Sequence, residues 1–488
     1  MKLYNSITRQ KEEFIPLDGN NVKMYACGIT VYDLSHIGHA RQAIAYAMVT
    51  DYLRYRGYNV KYVRNYTDVD DKIINRANAL NKNPIAFSEE QINETEIDMA
   101  NLHITDADVK PKASENIDNI IEFVQGLIDK GHAYAVDSGD VYFDVRSFRS
   151  YGNLSNRKVD DLISGVRKEV EPGKCDPIDF ALWKSVKPGE ISWKSPWGLG
   201  RPGWHIECSA MVLKNLGETI DIHGGGKDLL FPHHENEIAQ SEALTGKPFA
   251  KYWSHCGLVK INGEKMSKSL GNALTIRDVL EKHNYEVVKY VMFLKHYTSD
   301  IDITDKDFLL AESQLYYFYS TLKSVYEFIK NNNETSDKMR EDDISANIIP
   351  DFIEVMDDDF NTVATIANLH GIFKYINNIL KSVNKGNKAE TANTLIKILE
   401  NIKEVYGILG MFKQDINTFL SEIKSSHVKS LEIDETFIES KILERGNAKK
   451  AKDFEKADSI RRDLDEKGII LMDSANGTTW DIKSLFTL

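Results

Sequence analysis

Four residues with metal-binding side chains lie in three separated segments of this 488-residue sequence. Cys27 and Cys208 stand far apart, whereas His233 and Glu237 are four positions apart at the start of a predicted helix. Because that spacing points both side chains to one face, the pair can share a ligand. Two thiolates, an imidazole and a carboxylate make a sensible tetrahedral zinc set. Spacing alone leaves an ordinary satisfied polar cluster as the alternative.

Two familiar kinds of zinc protein do not fit this pattern. A zinc finger needs paired cysteines, and the cysteines of this chain are far apart. They are Cys27, Cys175, Cys208 and Cys256. A metalloprotease helix would need a second histidine at position 238, after His234-Glu235, and Ile238 stands there.

A second group of residues could bind a nucleotide. His36-Ile37-Gly38-His39 opens a predicted helix, where Gly38 would let a nucleotide approach the backbone and the helix N-terminus would face its phosphates. Lys265-Met266-Ser267-Lys268-Ser269 follows a glycine turn, and its two ammonium groups could clamp a triphosphate. Taken alone, an incidental histidine pair and an exposed lysine loop remain the alternatives.

The elements around these residues predict an α/β sheet. Residues 22–26 are predicted as a strand, the stretch from Gly38 to Leu53 as a helix with one apolar side, and residues 59–63 as a second strand. Strand, glycine turn, helix and strand open a parallel sheet, whose ligands bind at the carboxyl ends of the strands. The α/β pattern returns with residues 219–223, the triplet Gly224-Gly225-Gly226 and a helix over 235–244.

The remaining chain divides into an insertion, a helical region and a small terminal part. The insertion, about residues 110–200, contains a predicted helix over 117–130 and a strand over 141–143. Helical periodicity dominates from Asp307 to about residue 430, which indicates a helical bundle. The end of the chain is predicted as one charged helix over 442–467, capped by Gly468, and two strands.

Bulk composition limits the class of protein. The net charge is −13, which argues against a protein that coats nucleic acid nonspecifically but allows a specific RNA partner. No signal-peptide core and no run of 18 apolar residues occurs, so we expect no membrane span. Scattered cysteines in a long chain without a leader fit a reducing cytoplasm.

Several motifs, taken together and in order, resemble the cysteinyl-tRNA synthetases, a family of class I aminoacyl-tRNA synthetases. The histidine and lysine motifs above are the signature pair of that class. The likeness covers nearly the whole chain, including residues 452–454 and 477–480. The further motifs that carry it are Cys27-Gly28-Ile29-Thr30-Val31-Tyr32-Asp33, Asn65-Tyr66-Thr67-Asp68-Val69-Asp70-Asp71-Lys72, Asp179-Phe180-Ala181-Leu182-Trp183-Lys184, residues 203–211, and His223-Gly224-Gly225-Gly226 leading to Phe231-Pro232-His233-His234-Glu235-Asn236-Glu237.

The resemblance implies roles for individual residues. Cys27, Cys208, His233 and Glu237 match the zinc ligands of the family. Lys268, with Lys265 beside it, matches the ATP-contacting lysine, and His36 and His39 match the nucleotide-binding histidines. Further pocket positions are Gly28, Gly38, Thr67, Trp204 and His223.

The resemblance also implies an activity. The expected enzyme activates L-cysteine with ATP and Mg²⁺, releases pyrophosphate and passes cysteine to the 3′ end of tRNA(Cys). It would hold one zinc ion per subunit and act as a cytoplasmic monomer. Zinc binds a thiolate strongly and a serine hydroxyl poorly, so we expect no editing domain.

The expected architecture is a Rossmann-like parallel sheet with an insertion, a helical bundle and a small α+β anticodon-binding domain. The predicted domain bounds are 1–110 and 201–262 for the two catalytic halves, 111–200 for the insertion, 263–310 for the lysine loop and stem-contact region, 311–430 for the bundle and 436–488 for the anticodon-binding domain.

Two departures and two alternatives accompany this interpretation. Ile29 stands where the family usually has proline, and Phe454 where tryptophan is frequent. Cys175 and Cys256 match no ligand position. One alternative is a ligase that passes cysteine to an amino-sugar, against which residues 436–488 argue. The other is an inactive, zinc-stabilised tRNA-binding protein, against which the intact signature motifs argue.

Overall fold

A computed structural model describes residues 1–158, 173–261, 263–265, 274–332, 338–340, 343–474 and 477–485. These residues divide into two compact units. The first unit comprises Met1–Ile276, Lys295–Asp302 and Val355–Thr362, and the second Arg277–Leu294, Ile303–Glu354 and Val363–Leu488. Within the described residues, no helix combines the length and apolar character needed to cross a bilayer.

The strands, numbered in chain order, have the following bounds. They are β1 Lys2–Asn5, β2 Gln10–Glu13, β3 Asn21–Thr30, β4 Asn59–Thr67, β5 Ala133–Ala135, β6 Val141–Phe143, β7 Phe180–Ser185, β8 Trp193–Ser195, β9 Gly198–Pro202, β10 Ile220–Gly226, β11 Ala250–Cys256, β12 Val259–Ile261, β13 Glu264–Lys265, β14 Ile301–Ile303, β15 Ile469–Ser474 and β16 Gly477–Ile482.

The helices are numbered in the same way. They are α1 Ile37–Tyr55, α2 Asp71–Ala79, α3 Pro84–Asn101, α4 Ile117–Asp129, α5 Trp204–Leu216, α6 Glu235–Thr245, α7 Ile276–Lys282, α8 Tyr285–Phe293, α9 Asp305–Lys330, α10 Asp343–Met356, α11 Thr362–Lys381, α12 Lys388–Tyr406, α13 Ile416–Ser430, α14 Glu435–Lys450 and α15 Phe454–Glu466.

The first unit is built on a parallel sheet in the order β11-β10-β3-β4. Its strands are rich in buried apolar residues, as expected for a sheet covered on both faces. Helix α1 connects β3 to β4 and buries 13 of its 19 residues. The predicted order of strand, glycine turn, helix and strand is therefore confirmed, with strands a few residues longer than predicted.

The chain between α3 and α5 contributes an antiparallel sheet in the order β5-β6-β7-β9-β8. Helix α4 packs on it through Ile120, Phe123 and Leu127, which are almost fully buried, in a core that also includes Trp183. The predicted helix over 117–130 and strand over 141–143 are confirmed. This core continues to Ile206 and Ala239, so the antiparallel sheet supports the helices that carry the site.

The second unit is mostly helical, as predicted, and the terminal hairpin β15–β16 follows the helices. The prediction of a single helix over 442–467 is wrong. The chain forms α14 and α15, separated by residues 451–453. Lys452 adopts a left-handed conformation with φ of 61°, and the Asp453 carboxylate accepts a hydrogen bond from the Lys456 N–H at 3.1 Å. An aspartate that caps a helix start in this way overrides the continuous charge pattern.

Candidate active site

A pocket of about 310 Å³ opens at the carboxyl ends of the parallel strands in the first unit. Most of the residues predicted for the site share this pocket. Those that line it are Cys27, Gly28, His36, Gly38, His39, Thr67, Trp204, Cys208 and His233. His223 and Glu237 are fully buried beside it. The side chain of Lys265 and all of Lys268 lie outside the described residues.

Cys27 stands where β3 departs from regular pairing with β4, at the irregularity between Ala26 and Ile29. The next residue must be glycine, because a Cβ atom at Gly28 would lie 1.6 Å from the Asn65 carbonyl oxygen. The Asn65 side chain also accepts a hydrogen bond from the Gly28 N–H at 2.8 Å. This close approach turns the backbone and fixes where the Cys27 thiol lies. The turn is tight although Ile29 replaces the usual proline.

The four predicted metal ligands converge on one point. Their donor atoms all lie within 4.8 Å of one another, and all four residues are buried. The sulfurs of Cys27 and Cys208 are 3.7 Å apart, which is too long for a disulfide. The Glu237 Oε1 atom lies 3.2 Å from the Cys27 sulfur and 3.1 Å from the His233 Nε2 atom.

Electrostatic coupling in this cluster favours mixed protonation. The hydrogen bond from Cys27 lowers the pKa of Cys208 to about 6, although burial opposes that shift. Burial raises the pKa of Cys27 well above its ordinary value. Burial opposes protonation of His233, but the charge of Glu237 and the hydrogen bonds to Cys208 and Glu237 together raise its pKa to about 10. A buried thiol–carboxylate cluster of this kind is costly unless its negative charge is neutralised, and a bound cation would do this.

Further histidines surround the cluster. The His223 Nε2 atom lies 3.6 Å from the Cys27 sulfur and 3.3 Å from Glu237 Oε2. Cys27, His223, His234 and Glu237 form a second possible donor group, which shares two residues with the first. Burial lowers the pKa of His234 and His205 well below the ordinary value.

The sequence reasoning missed several of the supporting residues. His205 contacts His233 through their Nδ1 atoms at 2.9 Å, and Gln42 donates to the Cys27 carbonyl at 2.6 Å. His234 contacts His255 at 2.8 Å. His205, His234 and Asn65 lie inside motifs quoted above, so their position next to ligands was a usable signal. Gln42 carried no such signal, since it sits in an ordinary helix.

The start of α1, predicted above to bind a nucleotide, forms another part of the pocket. The imidazoles of His36 and His39 stack with centroids 3.6 Å apart, and each ring's Nδ1 accepts the other residue's backbone N–H. This reciprocal cap satisfies two N–H groups that a helix start normally leaves open. Gly38 lies between the histidines and lines the pocket. A helix N-terminus of this kind favours a negatively charged group.

The remaining pocket positions differ in exposure. Trp204, at the start of α5, stacks on His233 with centroids 4.3 Å apart and is 37 % exposed. Thr67 is buried at the end of β4, where its hydroxyl accepts from the Asn65 amide at 3.4 Å. Cys256 is buried and also lines the pocket, and burial raises the pKa of its thiol to about 11. Cys175 is exposed.

Two known domain families and several known ligases match this chain. A model of the class I tRNA synthetase (C) catalytic domain matches residues 13–313, and a DALR domain model matches residues 351–413. The chain is 48 % identical to the cysteine–tRNA ligase of Thermodesulfovibrio yellowstonii, over 99 % of this chain and 100 % of that protein. It is 47 % identical to the cysteine–tRNA ligase of Chromohalobacter salexigens, again over 99 % and 100 % of the two chains.

Among solved structures, the fold is similar to Mycobacterium tuberculosis methionyl-tRNA synthetase in complex with methionyl-adenylate. The TM-score is 0.61 at 15 % identity, and the match covers 83 % of this chain and 96 % of that one. At this identity the likeness supports the class I fold and no more.

Proposed function

The chain belongs to the cysteine–tRNA ligase family of class I aminoacyl-tRNA synthetases, and on this premise we propose how its residues select and activate cysteine. The ligase uses ATP, L-cysteine and tRNA as substrates. The alternatives of an amino-sugar ligase and of an inactive RNA-binding protein gain no support, because the ligase relatives extend over the whole chain.

The proposal includes one zinc ion per chain, held by Cys27, Cys208, His233 and Glu237. The observation that carries it is the spacing of the two sulfurs. Two sulfurs bound to one tetrahedral zinc would lie about 3.8 Å apart, and the two thiols are 3.7 Å apart. The donor set also has the composition that zinc prefers. When bound, such an ion supplies a Lewis acid with strong affinity for a thiolate and little for an alcohol.

The surrounding residues would present the substrate side chain to this centre. Trp204 forms one wall, and its indole ring is the partly exposed surface next to His233. Thr67 and Gly28 also line the pocket, and the Asn65 side chain contacts both residues. A purely apolar pocket separates sulfur from oxygen analogues by only about a hundredfold. Zinc held by these ligands would therefore supply the discrimination between cysteine and serine that the shape of the pocket cannot.

ATP would bind beside this pocket, with its phosphates toward the start of α1. His36, Gly38 and His39 form that start, and the lysine motif follows β12. We assign Lys268, with Lys265 next to it, to the phosphates, accompanied by Mg²⁺. The cysteine carboxylate attacks the α-phosphorus, the bond to pyrophosphate breaks, and cysteinyl-adenylate forms. Because that carboxylate is already ionised, no general base is required.

In the second step a hydroxyl of the terminal ribose of the tRNA attacks the adenylate carbonyl, and AMP leaves. We assign anticodon contact to the terminal segment 436–488. Phe454, at the start of α15, is 62 % exposed and could stack on a base.

The experiment that tests the assignment of the lysine motif is ATP–pyrophosphate exchange with Lys268→Ala. We expect a loss of about a hundredfold, the scale of one contact to developing charge. A change below about threefold would exclude Lys268 from the phosphate site. Cysteine-dependent exchange with and without a zinc chelator, together with the metal content of the purified protein, tests the metal. Unchanged exchange at complete metal removal would refute the zinc proposal.

A further inference from the structure

The turn between α10 and α11 belongs to the first unit, although most of the two helices on either side of it belongs to the second. We call this turn, Val355–Thr362, the strap. Its Asp359 N–H donates to the Lys2 carbonyl at 2.9 Å, and the Lys2 N–H donates to the Asp357 carbonyl at 2.7 Å. Asp357 also accepts from the Tyr52 hydroxyl at 2.6 Å. The strap is thus fixed to β1 and to the end of α1.

Two consecutive residues of the strap have an unfavourable backbone conformation. Asp359 has φ of 64° and Phe360 has φ of 53°, and neither is glycine. Such a conformation is unfavourable for a residue with a Cβ atom, and it persists only where the surroundings impose it. Phe360 is 2 % exposed and meets Tyr52 and Tyr297 edge-on, with centroids 5.9 and 6.1 Å away.

With this backbone conformation, Asp359 is buried inside the first unit and is only 2 % exposed. Its Oδ1 atom accepts from the Tyr4 N–H at 3.0 Å and from the Tyr297 hydroxyl at 3.1 Å. Its backbone carbonyl contacts the His296 Nε2 atom at 2.7 Å. Asp359 therefore contacts the segment Lys295–Asp302 through both its carboxylate and its backbone carbonyl.

That segment in turn supports one wall of the pocket, residues 256–259, which we call the ledge. The Gly257 N–H donates to the Tyr297 carbonyl at 2.8 Å, and the Ile301 N–H donates to the Leu258 carbonyl at 2.9 Å. The contact is close, because a Cβ atom at Gly257 would lie 2.1 Å from the Ser299 carbonyl oxygen. The ledge cannot move without Tyr297 moving as well.

The Tyr297 hydroxyl makes a second contact on the same wall. It donates to Asp359 and accepts from the Ser254 hydroxyl on β11 at 3.4 Å. The Ser254 carbonyl accepts from the Tyr46 hydroxyl of α1 at 2.8 Å. A continuous series of hydrogen bonds thus joins the strap to the sheet edge and helix that border the pocket.

We propose that Asp359 is a positioning residue for adenylate formation. Through Tyr297 it fixes the position of the ledge, on the side of the pocket assigned to ATP. This rests on the proposed function, which places the ATP phosphates at the start of α1. The segment behind the ledge lies against that helix, since Arg41 of α1 donates to the His296 and Ser299 carbonyls at 3.1 and 2.6 Å. The metal donors come from β3, α5 and the region of α6, and none lies on the ledge. Asp359 therefore acts on ATP binding and leaves cysteine binding to the other wall.

The test uses the full-length enzyme and ATP–pyrophosphate exchange with either substrate varied. We expect Asp359→Ala to raise KM for ATP about tenfold, because small misplacements in a site cost one to two orders of magnitude. KM for cysteine should stay within about twofold. Asp359→Asn keeps an acceptor oxygen and tolerates the left-handed conformation, so it should restore KM for ATP to within about threefold.

Tyr297→Phe removes only the hydroxyl and serves if Asp359→Ala fails to fold, with an expected rise in KM for ATP of about threefold. The control is Asp358→Ala, the exposed neighbour whose carboxylate pairs with Lys11 at 2.6 Å, for which no change is expected. An unchanged KM for ATP in folded Asp359→Ala, or an equal rise in both KM values, overturns the proposal. So does an unchanged KM in Tyr297→Phe. Loss of exchange in the unmodified enzyme would instead refute the proposed function.

Discussion

Two buried glutamates, one in each unit, bind imidazoles in similar ways but belong to different kinds of site. Glu237 lies 3.3 Å from His223 and 3.1 Å from His233. Glu312 on α9 lies 2.8 Å from His283 and 2.8 Å from His427 on α13. A carboxylate that contacts two histidines therefore does not by itself indicate a catalytic site.

What separates the two clusters is the rest of the donor set and access to a ligand. Glu237 has two thiols within reach and lies beside a pocket. Around Glu312 the other contacts are structural: Phe308 stacks on His283 with centroids 4.2 Å apart, and Ser484 contacts His427 at 3.3 Å. The two Glu312–histidine distances, both 2.8 Å, are also shorter than the Glu237–histidine distances of 3.3 and 3.1 Å. The Glu312 cluster is complete without an ion, whereas the Glu237 cluster gathers charges that an ion would neutralise.

The largest effect should come from removing a sulfur from the Glu237 cluster. We expect Cys208→Ser to lose the bound zinc and to reduce cysteine-dependent exchange on the order of a thousandfold, because a serine oxygen is a poor zinc ligand. Metal analysis by mass spectrometry and the exchange assay measure the two losses. Cys175→Ser, which changes an exposed thiol, is the matched control. Full zinc content in Cys208→Ser would contradict the ligand assignment.

The next largest effect should come from the Glu312 cluster, and on stability alone. Glu312→Ala leaves His283 and His427 without their carboxylate, and breaking a buried pair in this way costs about 3 kcal/mol of unfolding free energy. Denaturant unfolding followed by circular dichroism measures the loss, with Glu327→Ala, an exposed glutamate of the same helix, as control. Zinc content should not change. If Glu312→Ala lost metal, the contrast between the clusters would fail.

A smaller effect is expected from a residue that supports His233, one of the proposed metal ligands. His205 contacts His233 at 2.9 Å and so orients its ring. Residues in that position typically contribute a factor of about 10–100 in metal affinity. We expect His205→Ala to fold and to bind one zinc ion when zinc is in excess. In competition with a chelator, its zinc affinity should be about tenfold lower than that of the unmodified protein. An affinity equal to that of the unmodified protein would show that His233 needs no such support.

The smallest expected effect is the pH dependence of the stability that Glu312 contributes. Burial opposes ionisation of this carboxyl, but hydrogen bonds from His283 and His427 outweigh burial and lower its pKa. A carboxyl with a depressed pKa stabilises the folded state above its ordinary value of about 4.3 and loses that contribution as the pH falls through the folded value. The stability difference between the unmodified protein and Glu312→Gln should therefore narrow as pH decreases from about 5 to 3. A constant difference would mean that packing, not charge, stabilises the cluster.

The parts of the fold that sequence predicted were those with local signals. Hydrophobic periodicity located α1, β4 and α4 to within a few residues, because burial on one or both sides leaves a repeat in the chain. The break between α14 and α15 was missed. Its causes are the left-handed Lys452 and the Asp453 cap, and a charged stretch hides both.

The site could be predicted from local pattern only in part. Donors 181 and 210 residues apart leave no periodic trace, so only resemblance to a family brought Cys27, Cys208 and Glu237 together. The strap and the Glu312 cluster could not be predicted, because tertiary packing alone pairs Asp359 with Tyr297 and Glu312 with His427.

The origin of the donor cluster in three distant segments also bears on biosynthesis. Cys27 emerges from the ribosome 210 residues before Glu237. At about 5–20 residues per second, that thiol waits about 10–40 s for its last partner. An unfolded stretch seldom holds a preformed metal site. The proposed ion can therefore find all its ligands only after roughly half of the chain has been translated.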